Sequence, residues 1–263
     1  MIKDNKIFAM VSTKGGGGKT TISTMVLPTL FAGTESNITI YGIDDNNINK
    51  LKSEHINFKN LKVKDSENIL DEIEMQKIMK SDDISIIDVG GGSDTLNLLN
   101  IIKKSVVDGV TFIIPINDDI EQIYNLENTI NAIQKASKNP TIYLVLNRVH
   151  QLNKDAIEEQ FVGIYGSDRY GIKPLSNKIL EQIDAIYFVE SAPIFSILKN
   201  IYTTTLLDAY IEAEDLLQNL ETKKVEWVEK GKEYFKKQNI RVRLAYDVIE
   251  LTKRIYKLGE SNV

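Results

Sequence analysis

A glycine-rich run with two lysines lies near the start of the chain, between an apolar segment and a segment of helical character. Its residues are Ser12, Thr13, Lys14, Gly15, Gly16, Gly17, Gly18, Lys19, Thr20 and Thr21. Glycine permits positive φ, so successive amides can turn inward around phosphate oxygens, and a helix that starts there adds a favourable dipole. In such a site Lys19 reaches the β- and γ-phosphates and Thr20 ligates Mg²⁺. The run therefore predicts a phosphate-binding loop.

The spacing of this loop differs from the common phosphate-loop pattern at one place. That pattern has a glycine six residues before the lysine, and Thr13 stands there. The residues fit Lys-Gly-Gly-x-Gly-Lys-Thr instead, which makes Lys14 an additional cation at the entrance of the loop. Lys14 is either a phosphate ligand or a solvated charge, and its place beside a polyphosphate site favours the first.

Carboxylates at the ends of two apolar runs are candidates for the metal and water chemistry of phosphoryl transfer. Asp88 ends the run 84–88, before three glycines, and would hold the shell of a Mg²⁺ ion through water. Asp44 and Asp45 follow the run 38–43. Either can orient the attacking water, and the alternative is a turn with a helix cap. We expect Asp44 to have the catalytic role.

The loop with its extra lysine resembles the deviant Walker A loop of the ParA/MinD family of P-loop ATPases. The resemblance covers about 7–199 of the chain, and it rests most on the loop and on Asp88. It implies ATP and Mg²⁺ as cofactors, with Gly15, Gly16, Gly17, Gly18, Lys19, Thr20 and Thr21 around the phosphates. It also implies a homodimer in the ATP state, in which Lys14 crosses to the phosphates of the partner subunit.

The same resemblance assigns roles to two residues at other strand ends. The family's second strand ends in Asp-x-Asp, and the second of these aspartates, which orients the attacking water, matches Asp44. Gly42 occupies the place of the first aspartate, so this chain departs from the family there. The pair Asn147-Arg148 ends a later apolar run and implies that Asn147 contacts the adenine.

Short apolar runs rich in β-branched residues alternate with helical stretches over most of the chain. The runs predict strands over 7–12, 38–43, 84–88, 110–116, 141–147 and 186–189, and the stretches between them predict helices that include 66–80, 94–104 and 118–138. Continuously apolar strands that alternate with helices are typical of an α/β fold with a doubly wound, mostly parallel sheet. Such a sheet places the phosphate loop, Asp44 and Asp88 at the carboxyl ends of its strands.

From about Leu206 onward the pattern is helical only. We therefore expect a P-loop ATPase domain over 1–205 and a basic helical extension over 206–263 that packs on it or adjoins it. Between Lys223 and Lys257 the chain has eleven basic and five acidic residues, although the whole chain carries a net charge of −5. Basic helices without base-reading motifs suit contact with DNA phosphates. The alternative is that these lysines form the solvated face of amphipathic helices.

Composition excludes several classes of protein. The chain has no cysteine, which rules out disulfides and iron–sulfur clusters held by thiolates. No apolar run approaches the length that spans a membrane, and the first residues lack the apolar core of a signal peptide. We therefore expect a cytoplasmic protein, which DNA binding would associate with the nucleoid.

These features predict a ParA-like ATPase that dimerises on ATP, binds DNA non-specifically, and is released by hydrolysis that a partner protein stimulates. One alternative is a MinD-like ATPase that docks on a membrane through the helical stretch 243–258, although the apolar stripe there is more typical of core packing. A conjugation-associated ATPase is a second alternative. An ATP-dependent amidotransferase or synthetase is a more remote one.

Overall fold

Seven strands form one parallel sheet at the centre of the protein. The structure is a computed structural model and describes residues 5–44, 50–62, 67–79, 82–105 and 107–260. The strands are β1 (Ile7–Met10), β2 (Ile38–Ile43), β3 (Ile56–Leu61), β4 (Ile84–Val89), β5 (Val110–Ile116), β6 (Thr141–Val149) and β7 (Ala185–Glu190). Their order across the sheet is β3-β2-β4-β1-β5-β6-β7, and every neighbouring pair is parallel. This confirms the predicted α/β fold with a doubly wound sheet.

All six predicted strands are present, and four of them differ from the prediction by a few residues at their ends. β2 and β5 have the predicted bounds, β1 is shorter at its end, and β4, β6 and β7 are longer. The sequence analysis missed β3, which pairs with β2 at the edge of the described sheet. Only Ile56 is fully buried in it, and polar residues occupy half of its positions. A half-solvated edge strand has no continuous apolar run, so it carries little of the signal that marks the central strands.

Helices connect the strands and cover both faces of the sheet. The longer ones are α3 (Glu67–Met79), α4 (Ser93–Lys104), α5 (Ile120–Ala136), α10 (Leu206–Gln218), α11 (Leu220–Glu229) and α12 (Lys232–Glu260). The short ones are α1 (Lys19–Thr21), α2 (Leu27–Thr29), α6 (Lys154–Gln160), α7 (Val162–Tyr165), α8 (Asn177–Leu180) and α9 (Pro193–Ile197). A π-helical turn over Ile22–Val26 joins α1 to α2 just before Pro28, a residue without the N–H that a regular α-helix would need there.

Alternation along β1 divides the core between the two faces of the sheet. Ile7 and Ala9 pack on one face with apolar residues of α3, α4 and α5. Phe8 and Met10 pack on the other face with the helix that follows the phosphate loop and with α10 and α12. β1 is therefore buried on both sides, and the loop that follows it starts from a rigid position.

The last helix completes the second of these two faces. Ala245, Val248, Leu251 and Ile255 of α12 are almost completely buried in the same apolar cluster as Phe8 and Met10. The apolar stripe that the sequence shows over 243–258 is thus core packing as far as Ile255, the last side chain described in the helix. Within the described part of the chain, no helix combines the length and the apolar character needed to cross a membrane.

Candidate nucleotide site

The backbone of the glycine run has the alternating conformation of an anion-binding loop. Gly16 and Gly18 have φ of +92° and +97°, and α1 begins directly after them at Lys19. Gly17 lies against β5, where a Cβ atom would come within 2.2 Å of the Pro115 carbonyl oxygen. A side chain at this position would collide with backbone. The amides of this loop and of the helix start can therefore surround a phosphate group.

Helix α5 forms hydrogen bonds with the first residues of the phosphate loop. The Thr13 amide donates to the Thr129 hydroxyl oxygen at 3.2 Å, and the two hydroxyls are 2.8 Å apart. The side-chain amide of Gln122 donates to the Gly15 carbonyl and its oxygen accepts from the Asn117 amide. Thr13, the residue that replaces the usual glycine, is thus a point of attachment to α5.

Two further polar side chains fix the rest of the loop. Thr95 of α4 donates to the Ser12 carbonyl at 3.0 Å, and Asn147 of β6 donates to the Gly17 carbonyl at 3.0 Å. The sequence analysis did not identify Thr95, Gln122 or Thr129. Each is a buried polar residue on the apolar side of an amphipathic helix, a pattern that indicates a specific hydrogen bond but not its partner.

A cavity of about 720 Å³ opens in front of the loop. Its lining includes Gly15, Gly16, Gly18, Lys19, Thr20 and Thr21 from the loop, together with Asp44 and Asp88. The sheet brings the two carboxylates to this place, because Asp88 of β4 pairs with Met10 of β1 on one side and with Gly42 of β2 on the other. Asp45, the alternative to Asp44, lies outside the described residues.

Burial perturbs the two charged groups at the floor of this cavity in opposite directions. Burial lowers the pKa of Lys19, against the opposing effect of the nearby carboxylates of Asp88, Asp44 and Asp94. Burial also raises the pKa of Asp88, and hydrogen bonds from Thr20 and Ser23 together with the charge of Lys19 partly offset this rise. The two groups stabilise each other's charged forms in a site that solvates neither well.

Thr20 and Asp88 fit the expected Mg²⁺ ion. The Thr20 hydroxyl lies close enough to the Asp88 carboxylate, beside the phosphate loop, to lower the pKa of that carboxyl. Both are oxygen ligands of the kind that Mg²⁺ prefers, and this ion is usually held by one or two carboxylates together with substrate phosphates and water. Among the described residues, no group of three or more histidine, cysteine, aspartate or glutamate side chains could hold a metal ion by itself.

A second cavity of about 270 Å³ adjoins the first at the end of β6. Thr21, Asn147, Arg148 and the segment 190–192 line it. The Asn147 side chain is buried and turned toward the loop. Arg148 is exposed, with a left-handed φ of 61° at the bulge that interrupts the pairing of β6 with β7 between Asn147 and Val149. An uncommon backbone conformation at a cavity wall is typical of functional sites.

The Lys14 side chain does not line the large cavity in this structure. Its ammonium group forms an ion pair with the Glu121 carboxylate in the first turn of α5. Both side chains are partly exposed, at 37% and 62%. Lys14 is therefore held against α5, whereas Lys19 lies at the floor of the cavity.

Many of the basic residues in the C-terminal helices pair with carboxylates. Lys223, Lys224, Lys236, Arg241, Lys253 and Arg254 form ion pairs, with partners that include Glu212 and Asp215 of α10 and Glu190 of β7. Lys230 lies over the Tyr234 ring. Among the described side chains of this stretch, Lys232, Lys237 and Arg243 have no such contact. The stretch is thus less cationic than its own sequence count implies.

The parallel sheet, the glycine loop after its central strand and the helix that follows define a P-loop NTPase-like fold. No protein-family model matches the chain, and no curated protein matches it significantly. The solved structures with a similar fold include the following two. One is of a protein described as a plasmid partition protein from Borrelia burgdorferi B31, bound to AMPPNP, with 14% identity, a TM-score of 0.42, and coverage of 75% of this chain and 90% of that one. The other, an LAO/AO transport system kinase, has 14% identity, a TM-score of 0.38, and coverage of 86% and 67%.

Proposed function

We propose that the protein is a ParA-like ATPase that dimerises when it binds ATP and separates after hydrolysis, and that it acts in DNA partition or positioning. The observation that carries this proposal is the arrangement of the two loop lysines. Lys19 lies at the floor of the cavity with Asp88 and Thr20, whereas Lys14 is outside the cavity lining and has a partly exposed side chain that a second subunit could reach. A partly exposed cation beside the phosphate loop, outside the lining of its own cavity, is available to the nucleotide of a second subunit.

Each residue of the site has a defined part in the proposed reaction. Lys19 and the loop amides bind the β- and γ-phosphates, and Thr20 and Asp88 would hold Mg²⁺, which supplies charge neutralisation on the phosphates when bound. Asp44 orients the attacking water, and Lys14 contacts the phosphates of the partner's nucleotide. Asn147 fixes the loop at Gly17 and lines the cavity proposed for the adenine.

Dimerisation provides the first test. We expect Lys14→Ala to weaken Mg-ATP-dependent dimerisation and hydrolysis by at least tenfold while ATP binding to the monomer changes less, because the lysine acts on the partner's phosphates. Light scattering with AMPPNP measures the dimer, and a phosphate-release assay measures turnover. The control is Lys154→Ala, which removes a lysine whose side chain is 83% exposed. Dimerisation of Lys14→Ala at the wild-type level would refute the cross-subunit role.

DNA contact is the second part of the proposal. Lys232 and Arg243 lie eleven residues apart on α12, a spacing of about three turns that places them on one side of the helix. Both are exposed and unpaired among the described side chains, so they are the best candidates for phosphate contact. Two equal surfaces in a dimer would bind DNA far more tightly than one.

Reversing these two charges tests that surface. We expect Lys232→Glu with Arg243→Glu to lower ATP-dependent affinity for non-specific DNA at least about tenfold at low salt, and to reduce the salt slope by about one per lost contact. Lys103→Glu with Lys135→Glu, both exposed on other helices, is the charge-matched control. Equal losses in the two variants would indicate a net-charge effect.

Other outcomes would favour the alternative functions. ATP-dependent binding of the wild type to liposomes instead of DNA would favour a membrane-associated ATPase, and binding to neither DNA nor liposomes would favour the conjugation-associated class. A small-molecule product formed with ADP would favour a synthetase.

A further inference from the structure

The ion pair between Lys14 and Glu121 lies where α5 meets the phosphate loop. Glu121 is in the first turn of α5, whose N-cap is Asp119; the Asp119 carboxylate accepts from the Glu121 amide at 2.9 Å. This cap fixes the backbone from which the Glu121 side chain extends. The Glu121 carboxylate therefore extends toward the loop from a regular first turn of α5.

Contacts on both sides of Lys14 hold the loop and the helix at a fixed distance. Before it, Thr13 bonds to Thr129, and after it the Gly15 carbonyl accepts from Gln122. Thr129 and Gln122 are both buried residues of α5. Lys14 therefore lies between two anchored neighbours, directly opposite the residue that precedes Gln122. These hydrogen bonds fix the backbone of Lys14 beside that of Glu121, so the two side chains are close enough to pair.

We propose that Glu121 is a positioning residue that restrains Lys14 in the free subunit and so opposes dimerisation. This inference rests on the proposed function, because it assumes that Lys14 must reach the partner's nucleotide. While Lys14 is paired with Glu121, its ammonium group is directed to α5 of its own subunit. The triphosphate of a bound partner, with several negative charges, competes for the same ammonium group and releases it. Dimerisation then requires both the nucleotide and the loss of this pair in each subunit.

The strength of the pair suits a switch. A partly exposed ion pair contributes up to about 1 kcal/mol, or roughly fivefold in an equilibrium constant. The triphosphate of the partner subunit can displace such a weak pair from Lys14. The pair therefore weakens dimerisation without preventing it. A symmetric dimer breaks two pairs, which gives a combined effect of up to about 25-fold.

Glu121→Gln removes the charge of the restraint and keeps its size. We expect the dissociation constant of the AMPPNP-bound dimer to fall by about 5- to 25-fold, measured by analytical ultracentrifugation with Mg²⁺ present. Glu127→Gln is the matched control, because Glu127 is an exposed residue of the same helix and has no ion pair among the described side chains. We expect this control to leave the dissociation constant unchanged.

A double-mutant cycle separates this role from a general effect on structure. In a Lys14→Ala background, Glu121→Gln should no longer tighten the dimer, since Glu121 acts through Lys14. A wild-type dimer that Glu121→Gln leaves equally tight or weaker overturns the inference alone. If neither the wild type nor Glu121→Gln dimerises with AMPPNP at any concentration reached, the proposed function fails and the inference fails with it. A dimer seen only in Glu121→Gln supports both.

Discussion

Lys19→Ala should abolish tight ATP binding. Lys19 is 8% exposed, lies at the start of α1 and faces the cavity with Asp88. The substitution removes the buried cation that we expect to bind the β- and γ-phosphates and leaves the Asp88 carboxylate to repel them. Truncating one member of a buried charge pair costs about 2–5 kcal/mol, which corresponds to roughly 30- to several-thousand-fold in affinity. Isothermal titration calorimetry with ATP and Mg²⁺ measures this loss.

Two controls make that result specific. Lys154→Ala, an exposed substitution elsewhere, should bind ATP as the wild type does. Far-ultraviolet circular dichroism should show that Lys19→Ala is folded, because the loop is held by Thr95, Gln122, Thr129 and Asn147 independently of the lysine. Retention of wild-type ATP affinity by folded Lys19→Ala would contradict the assignment of the cavity as the nucleotide site.

Asp44→Ala should have the opposite combination of effects, with ATP binding retained and hydrolysis lost. Asp44 lines the cavity at the end of β2 but belongs neither to the loop nor to the proposed metal ligands. Loss of a group that positions the nucleophile or accepts its proton typically lowers turnover by about 10²- to 10⁴-fold. We expect an ATP-bound dimer to accumulate, visible by light scattering with ATP itself instead of an analogue.

The choice of aspartate is tested in the same experiment. Asp45→Ala should hydrolyse ATP at close to the wild-type rate, as should Asp82→Ala, an exposed aspartate before β4. Normal turnover by Asp44→Ala together with loss of turnover by Asp45→Ala would transfer the role to Asp45. If neither Asp44→Ala nor Asp45→Ala loses hydrolysis, the group that orients the water lies on another wall of the cavity.

The fold and the centre of the site could be predicted from the sequence for a common physical reason. Fully buried parallel strands are continuously apolar, so β2 and β5 were located to the residue, and a glycine run between a strand and a helix has few other uses. The carboxyl ends of parallel strands share one edge, which was enough to bring Asp44 and Asp88 to the loop. β3 was not predicted, because its position at the edge of the sheet allows polar residues to interrupt the apolar pattern.

The contacts that hold the site could not be predicted, because they join residues distant in sequence. Thr129 is 116 residues from Thr13, and Asn147 is 130 residues from Gly17. A polar residue within an apolar helical stripe indicates that a partner exists, but only the assembled sheet determines which one. The same is true of charge: Lys223 and Arg241 pair with carboxylates on α10, and Arg254 pairs with one on β7, all outside the stretch 223–257 in which the charges were counted.

The packing of α12 against the β1 side of the sheet has a consequence for how the chain folds during synthesis. The strands emerge from the ribosome first, but one face of the sheet is completed only when Val248, Leu251 and Ile255 reach it. Until then the part of this apolar face that α12 covers is open to solvent and to other chains. We infer that the nascent chain most in need of a chaperone is the one that already contains the phosphate loop but still lacks α12.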